Sequence, residues 1–220
     1  MDEGIGPPTH KSRHRGHLFV LEGIDGAGKT VVCESVLRIL LEDGTDAVRL
    51  REPTKESRWG KEIWERSRAG TLSPSEELDL FMLDRRWNVE NRIRPALESG
   101  KVVVMDRYFF ATGAYQSTST GIDWREILRR NREEVGAPEP DLVFLLDLPV
   151  DEALRRVGFR TSEPNRQFER MERLVRVRQN YLEMAREDSA NYVVVDATQS
   201  VDQVIHDVYC RIYDWLRGQT

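Results

Sequence analysis

Between positions 23 and 30 the chain reads Gly23-Ile24-Asp25-Gly26-Ala27-Gly28-Lys29-Thr30. Residue types and spacing here suit one task, the wrapping of backbone around phosphate oxygens. Glycines let the main chain pass close to an anion, and a helix starting just after the loop points free N–H groups and its positive dipole end at it. Lys29 adds a mobile cation and Thr30 a hydroxyl able to hold magnesium. The pattern G-x-x-x-x-G-K-[ST] carries weight only between a strand and a helix. An apolar run ending at Glu22 precedes it, and Val32, Val36, Ile39 and Leu40 follow at helical spacing. A glycine-rich turn matching by chance lacks that setting, so Gly23 through Thr30 are read as a cradle for ATP with Mg2+.

A second constellation lies at Asp106-Arg107-Tyr108, at the end of the apolar run Val102-Val103-Val104-Met105. A carboxylate able to bind magnesium or its waters stands beside a cation able to bridge two phosphates. The bland alternative is a helix N-cap next to a solvated arginine. Asp147 ends another such run and reads equally as a strand-end cap or as a group delivered to a ligand crevice.

The elements that must carry these groups are legible as alternation. Five short runs rich in β-branched residues, His17 to Glu22, Ala47 to Leu50, Val102 to Asp106, Leu142 to Asp147 and Tyr192 to Asp196, are separated by helical segments. That order predicts a three-layer α/β fold of the P-loop NTPase kind, a five-stranded parallel sheet flanked by helices. Ser73, Pro74 and Glu76 signal the start of a long helix running toward Gly100, bent near its end by Pro95. Val201, Val204, Ile205, Val208, Ile212 and Trp215 form one stripe of a closing helix, with Ser200 and Gln203 as its capping box. Residues 17–217 read as a single domain and 1–16 as a loose polar tail. The stretch from Gly158 to Gln167, crowded by Arg155, Arg156, Arg160 and Arg166, interrupts two helical patterns and reads as a mobile lid over about 158–168.

Composition narrows the class. The chain has 220 residues, 39% hydrophobic and 32% charged, enough for one core without cross-links and with no apolar run of membrane-spanning length. Cys33 and Cys210 have no metal-ligand spacing around them, and a reducing, cytoplasmic setting fits. A net charge of −5 disfavours wholesale binding to nucleic acid.

A phosphate cradle alone does not separate a kinase from a GTPase or a motor, but no N-K-x-D guanine-reading motif is present. In order along the chain stand Leu21 to Thr30, Arg51-Glu52-Pro53, Phe81 with Asp84-Arg85, Asp106-Arg107-Tyr108, Ala114-Tyr115-Gln116 and Pro140-Asp141-Leu142. In this order and spacing the sequence resembles thymidylate kinases, enzymes that phosphorylate dTMP to dTDP, from about His17 to Trp215.

The resemblance implies roles. Phe81 would stack on thymine, Arg85 would donate to a base carbonyl, and Thr112 with Gln116 would complete the pyrimidine edge. Tyr115 would crowd the sugar 2′ position, and Asp25 would approach the 3′ hydroxyl or the magnesium shell. Arg51, Glu52 and Pro53 would belong to the acceptor site and Arg107 would grip the acceptor phosphate. Thr30 and Asp106 would serve magnesium, and Lys29, Asp106 and Arg107 the transfer itself. The cradle lacks an arginine, so the lid would supply one, Arg160 or Arg166, with Arg155 and Arg156 on the preceding helix as alternates. The resemblance also implies a homodimer. Two departures stand out: Thr54-Lys55-Glu56-Ser57 replaces glycines after Pro53, and Asn165-Arg166-Gln167-Phe168-Glu169 differs from the family's lid run. A kinase for another deoxynucleotide or a nucleoside, or a nucleotide-binding regulator without activity, remains open at this point.

Overall fold

The structure is a computed structural model that describes residues 16–158 and 164–218. Strand β1 (His17–Glu22) leads through the glycine loop into α1 (Lys29–Glu42), then β2 (Ala47–Arg51), α2 (Arg58–Ala69) and α3 (Pro74–Asn88). A π turn over Val89–Ile93 joins α3 to α4 (Arg94–Glu98), followed by β3 (Val102–Asp106), α5 (Phe109–Thr120) and α6 (Trp124–Arg130). The rest is β4 (Leu142–Asp147), α7 (Val150–Arg156), α8 (Pro164–Glu187), β5 (Tyr192–Asp196) and α9 (Val201–Gly218).

All strand pairs are parallel, in the order β2-β3-β1-β4-β5. The chain runs first to one side of β1 and then to the other, so the loop leaving β1 lies where the sheet's order reverses. Ligands of open α/β sheets bind in that crevice. Registers fix which side chains reach it: Leu21 lies opposite Asp106, and Glu22 lies opposite Leu145.

The central strands are apolar on both faces because helices cover both. Phe19, Val20 and Leu21 on β1, Val103, Val104 and Met105 on β3, and Phe144 and Leu146 on β4 are all fully buried. Each such side chain contributes about 2 kcal/mol of burial free energy. The edge strand β5 is different, with Val194 53% exposed.

Helix ends follow their local signals. Ser73 and Glu76 form the reciprocal capping box at the start of α3. At α9 the Gln203 N–H donates to Ser200 Oγ at 3.3 Å, but the Gln203 amide turns forward to Asp207 and does not close the box. Val204, Val208 and Ile212 of its stripe are buried, while Val201, in the overhanging first turn, is 48% exposed. Pro95 widens the helix it was expected to bend. It has no N–H and its ring crowds the Asn91 carbonyl, and Arg94 N–H bonds Val89 O five residues back. Helix α8 already runs from Pro164, so residues 164–167, read as part of an irregular lid, are helical.

Candidate active site

The glycine loop turns as its spacing requires. Gly23 has φ 140°, and a Cβ there would stand 2.6 Å from the Leu146 carbonyl oxygen, so close passage over β4 excludes a side chain. Gly28, at φ 90°, caps α1, whose first residue is Lys29. The Lys29 ammonium donates to the Gly23 and Ile24 carbonyls at 2.9 and 2.8 Å, spanning its own loop. Burial, and then the nearby Arg107 guanidinium, bring its pKa down to about 7.

A cavity of about 300 Å³ opens in front of this loop, lined by Gly28, Lys29, Thr30, Arg51, Asp106 and Arg107 among others. Thr30 Oγ1 donates to Asp106 Oδ2 at 2.7 Å, so the two groups expected to serve magnesium already meet. Arg49 Nη2 shares that oxygen at 2.9 Å. Burial alone would raise the Asp106 pKa, but the bonds from Thr30 and Arg49 outweigh it and lower it. The donor set fits magnesium, a hard cation that prefers one or two protein oxygens and shares the rest with water and phosphate. Among the described residues no cluster of three or more His, Cys, Asp or Glu side chains forms a self-sufficient metal cage.

Arg107 is the only non-glycine residue with positive φ among the described residues, at 70°. Glu22 holds that turn. Its Oε1 accepts from the N–H groups of Tyr108 and Ala111 at 2.8 and 3.2 Å, and its Oε2 from the Tyr181 hydroxyl at 2.8 Å. Burial raises the Glu22 pKa to about 7 against the lowering influence of Arg107 and of those bonds. The Arg107 guanidinium pairs with Asp25 and lies 5.2 Å from the Tyr115 ring centre. Tyr115 in turn accepts from the Asp25 N–H at 3.1 Å. Burial opposes the charge of Arg107, but Tyr115, Tyr181, Asp25 and Glu22 outweigh it and raise its pKa.

Beyond Arg107 lies a second cavity of about 220 Å³, which shares Asp25, Glu52, Pro53 and Arg107 with the first. Its other walls include Phe81, Arg85, Thr112, Tyr115 and Gln116, the residues that the resemblance places around the base and its sugar. Phe81 is only half-buried and lines that cavity. Arg85 is 1% exposed and largely committed to protein: Nε to Glu52 at 2.8 Å, Nη1 to Asn131 at 2.6 Å and Nη2 to Thr112 at 3.0 Å. With five N–H donors and an additional Nη2 contact to Glu52 at 2.6 Å, one Nη1 proton is left over. Thr112, 1% exposed, therefore orients Arg85 first. Gln116 gives an amide N–H to Glu77 at 3.2 Å.

The loop that departs from the glycine pattern is anchored from α3. Asp84 accepts from the Thr54 N–H at 2.8 Å, from the Thr54 hydroxyl at 2.6 Å and from the Ser57 hydroxyl. Hydroxyl side chains thus fix what backbone freedom would otherwise shape. Asp147 is engaged by Arg178 of α8 at 2.7 and 2.8 Å, an ion pair that neither of its two readings named. Arg155 and Arg156 pair with Glu152 at the surface. Arg160 lies outside the described residues, and Arg166 is described only as backbone in the first turn of α8.

The sequence reading gave no site role to Glu22, Arg49, Trp64, Asn131, Arg173 and Tyr181. Trp64 lines the phosphate cavity and Arg173 the acceptor cavity. Two had a signal: charged residues inside short apolar strands, Glu22 in β1 and Arg49 in β2, need a buried or ligand-side partner. The other four read as ordinary helix residues.

A sequence model described as thymidylate kinase matches residues 21–208. A probable thymidylate kinase of Archaeoglobus fulgidus is 44% identical over 87% of this chain and 92% of its own length. Thymidylate kinases of Desulfotalea psychrophila and Xanthomonas campestris pv. campestris are 35% and 37% identical, over 94% and 88% of this chain and 98% and 82% of theirs. With likeness of this extent running through the cradle, the Asp106-Arg107 turn and the aromatic chamber, the chain belongs to the thymidylate kinase family.

Proposed function

We propose that the chain transfers the γ-phosphoryl group of ATP to dTMP, yielding dTDP and ADP. The observation that carries this reading is the pair of adjoining cavities, one floored by the glycine loop and one walled by Phe81, that share Arg107 and Asp25 at their junction. Phosphoryl transfer asks little covalent chemistry of a protein; two anions must be brought in line and their charge neutralised.

On this reading the amides of residues 23–30 and the N-terminus of α1 hold the ATP phosphates, and Lys29 leaves its own loop carbonyls to follow the charge. Thr30 and Asp106 would hold magnesium, which would neutralise charge on the β- and γ-oxygens when bound. Arg107, fixed by Asp25 and Tyr115, grips the acceptor phosphate. Phe81 stacks on the base, the spare N–H of Arg85 donates to a ring carbonyl, and Gln116 offers its amide oxygen to a ring N–H. The lid of about 158–168 adds Arg160 or Arg166. Residues 17–217 act as one unit, in the cytoplasm, as a homodimer. Two free cysteines agree with a reducing compartment, and among the described residues no helix is long and apolar enough to cross a membrane.

The test is acceptor profiling: ADP release with dTMP, dUMP, dCMP, dAMP and dGMP at fixed ATP and magnesium. dTMP is expected to give the highest kcat/KM. Robust turnover of a purine or cytosine nucleotide with none of dTMP would defeat the assignment.

A further inference from the structure

Arg51 ends β2 and lines the phosphate cavity where it adjoins the acceptor cavity, next to Glu52 and Pro53, which line both, yet it differs from the other arginines around it. Arg49 is paired with Asp106 and Glu34, Arg85 with Glu52, and Arg107 with Asp25. Arg51 has no ion-pair or hydrogen-bond partner among the described residues, and its Nε is buried with no acceptor. A buried donor left unbonded carries its full desolvation cost, and such groups in native folds call for an explanation. Its guanidinium carbon lies 5.3 Å from the centre of the Trp64 ring, at the same cavity wall. The Trp64 indole N–H is also buried without an acceptor. Tryptophan therefore contributes the flat face of its ring here and no hydrogen bond.

We propose that Trp64 is a positioning residue for the acceptor phosphate: its indole face holds the otherwise unpaired Arg51 guanidinium in place, so that the terminal N–H groups meet an incoming phosphate monoester without reorganising. Arginine has high rotamer freedom, and ordering it beforehand removes a cost from binding. A ring face within about 6 Å attracts a cation electrostatically and leaves its in-plane donors free, which a carboxylate partner would not.

The fold fixes this platform independently of Arg51. Helix α2 is tied to α3 because Asp84 binds both Thr54 and Ser57, and Ser57 caps α2 by accepting from the Gly60 N–H at 2.8 Å. Gly60 is required: a Cβ there would come within 2.2 Å of the Thr54 carbonyl oxygen. Trp64, one turn further on, is thereby set beneath the end of β2.

The proposal rests on the dTMP reading above, and the test separates the two. Binding of dTMP and of thymidine, which lacks the phosphate, is measured by calorimetry on the full chain, its Trp64→Leu variant and its Trp64→Phe variant. Trp64→Leu keeps apolar bulk without a π face and is expected to weaken dTMP about tenfold, leaving thymidine affinity unchanged. Trp64→Phe keeps a face and is expected to retain most dTMP affinity. In steady state Trp64→Leu should raise the KM for dTMP and not that for ATP. Equal losses for dTMP and thymidine, undiminished dTMP binding in Trp64→Leu, or a fall in Trp64→Phe as large as in Trp64→Leu would each overturn the role of Trp64. A wild-type chain that binds no dTMP would overturn the acceptor reading, and this proposal with it.

Discussion

The phosphate cradle and the acceptor chamber face one another across Arg107 and Asp25, and they are built by opposite means. The cradle is a continuous run, Gly23 to Thr30, whose ligand groups are mostly backbone amides aligned by a helix that begins at Lys29. The chamber is assembled from side chains on the loop after β2 and on α3, α5 and α8, and its key cation, Arg85, is held by residues 33, 46 and 27 positions away. Backbone recognition tolerates change in most surrounding side chains, whereas a chamber of buried side chains fails when one partner is lost. Phosphate, common to all nucleotides, is met by the first device, and the variable base by the second.

That contrast can be broken first at Lys29. Lys29→Ala removes the one mobile cation of the cradle and is expected to lower kcat about 10³-fold with the melting temperature nearly unchanged. A kcat within a few-fold of wild type, in a steady-state assay, would mean that the amides alone neutralise the transferring phosphoryl.

Asp84→Ala attacks the support of the acceptor side. It leaves the Thr54 N–H and the hydroxyls of Thr54 and Ser57 buried without their acceptor. The expected cost is about 3 kcal/mol of unfolding free energy in urea titrations, together with a raised KM for dTMP. A variant as stable as wild type would show that solvent enters this loop.

Phe81→Ala removes the stacking face. The expected result is a KM for dTMP raised about tenfold, with the KM for ATP and kcat little changed, because stacking acts on ground and transition states alike. A loss confined to kcat would place Phe81 elsewhere in the cycle.

Glu22→Gln leaves both cavities in place and is read only in the pH dependence of stability. Burial raises the Glu22 pKa from 4.5 to about 7. The folded state then keeps a proton that the unfolded chain releases above 4.5, so this group's stabilisation is complete below that pH and lost as pH rises through about 7. Glu22→Gln, uncharged throughout, should lose that downward slope. Parallel melting curves for the two proteins between pH 5 and 8 would contradict it.

What the sequence by itself determined is what local geometry can encode. The glycine spacing of the cradle, the Ser73-Glu76 capping box and the five apolar strand segments each depend on residues within a few positions of one another, where chain connectivity fixes their distance. The motif order added the residues that wall the second cavity, Phe81, Arg85, Thr112, Tyr115 and Gln116. Only the tertiary structure decided what those residues do to each other. That Arg85 spends most of its donors on Glu52, Asn131 and Thr112, that Tyr181 reaches Glu22 from 159 residues away, and that Trp64 lies under Arg51 are consequences of how helices cross the sheet. Side-chain chemistry states what a residue can bind; packing of distant elements sets which partner is within 3 Å, and no spacing along the chain records that distance.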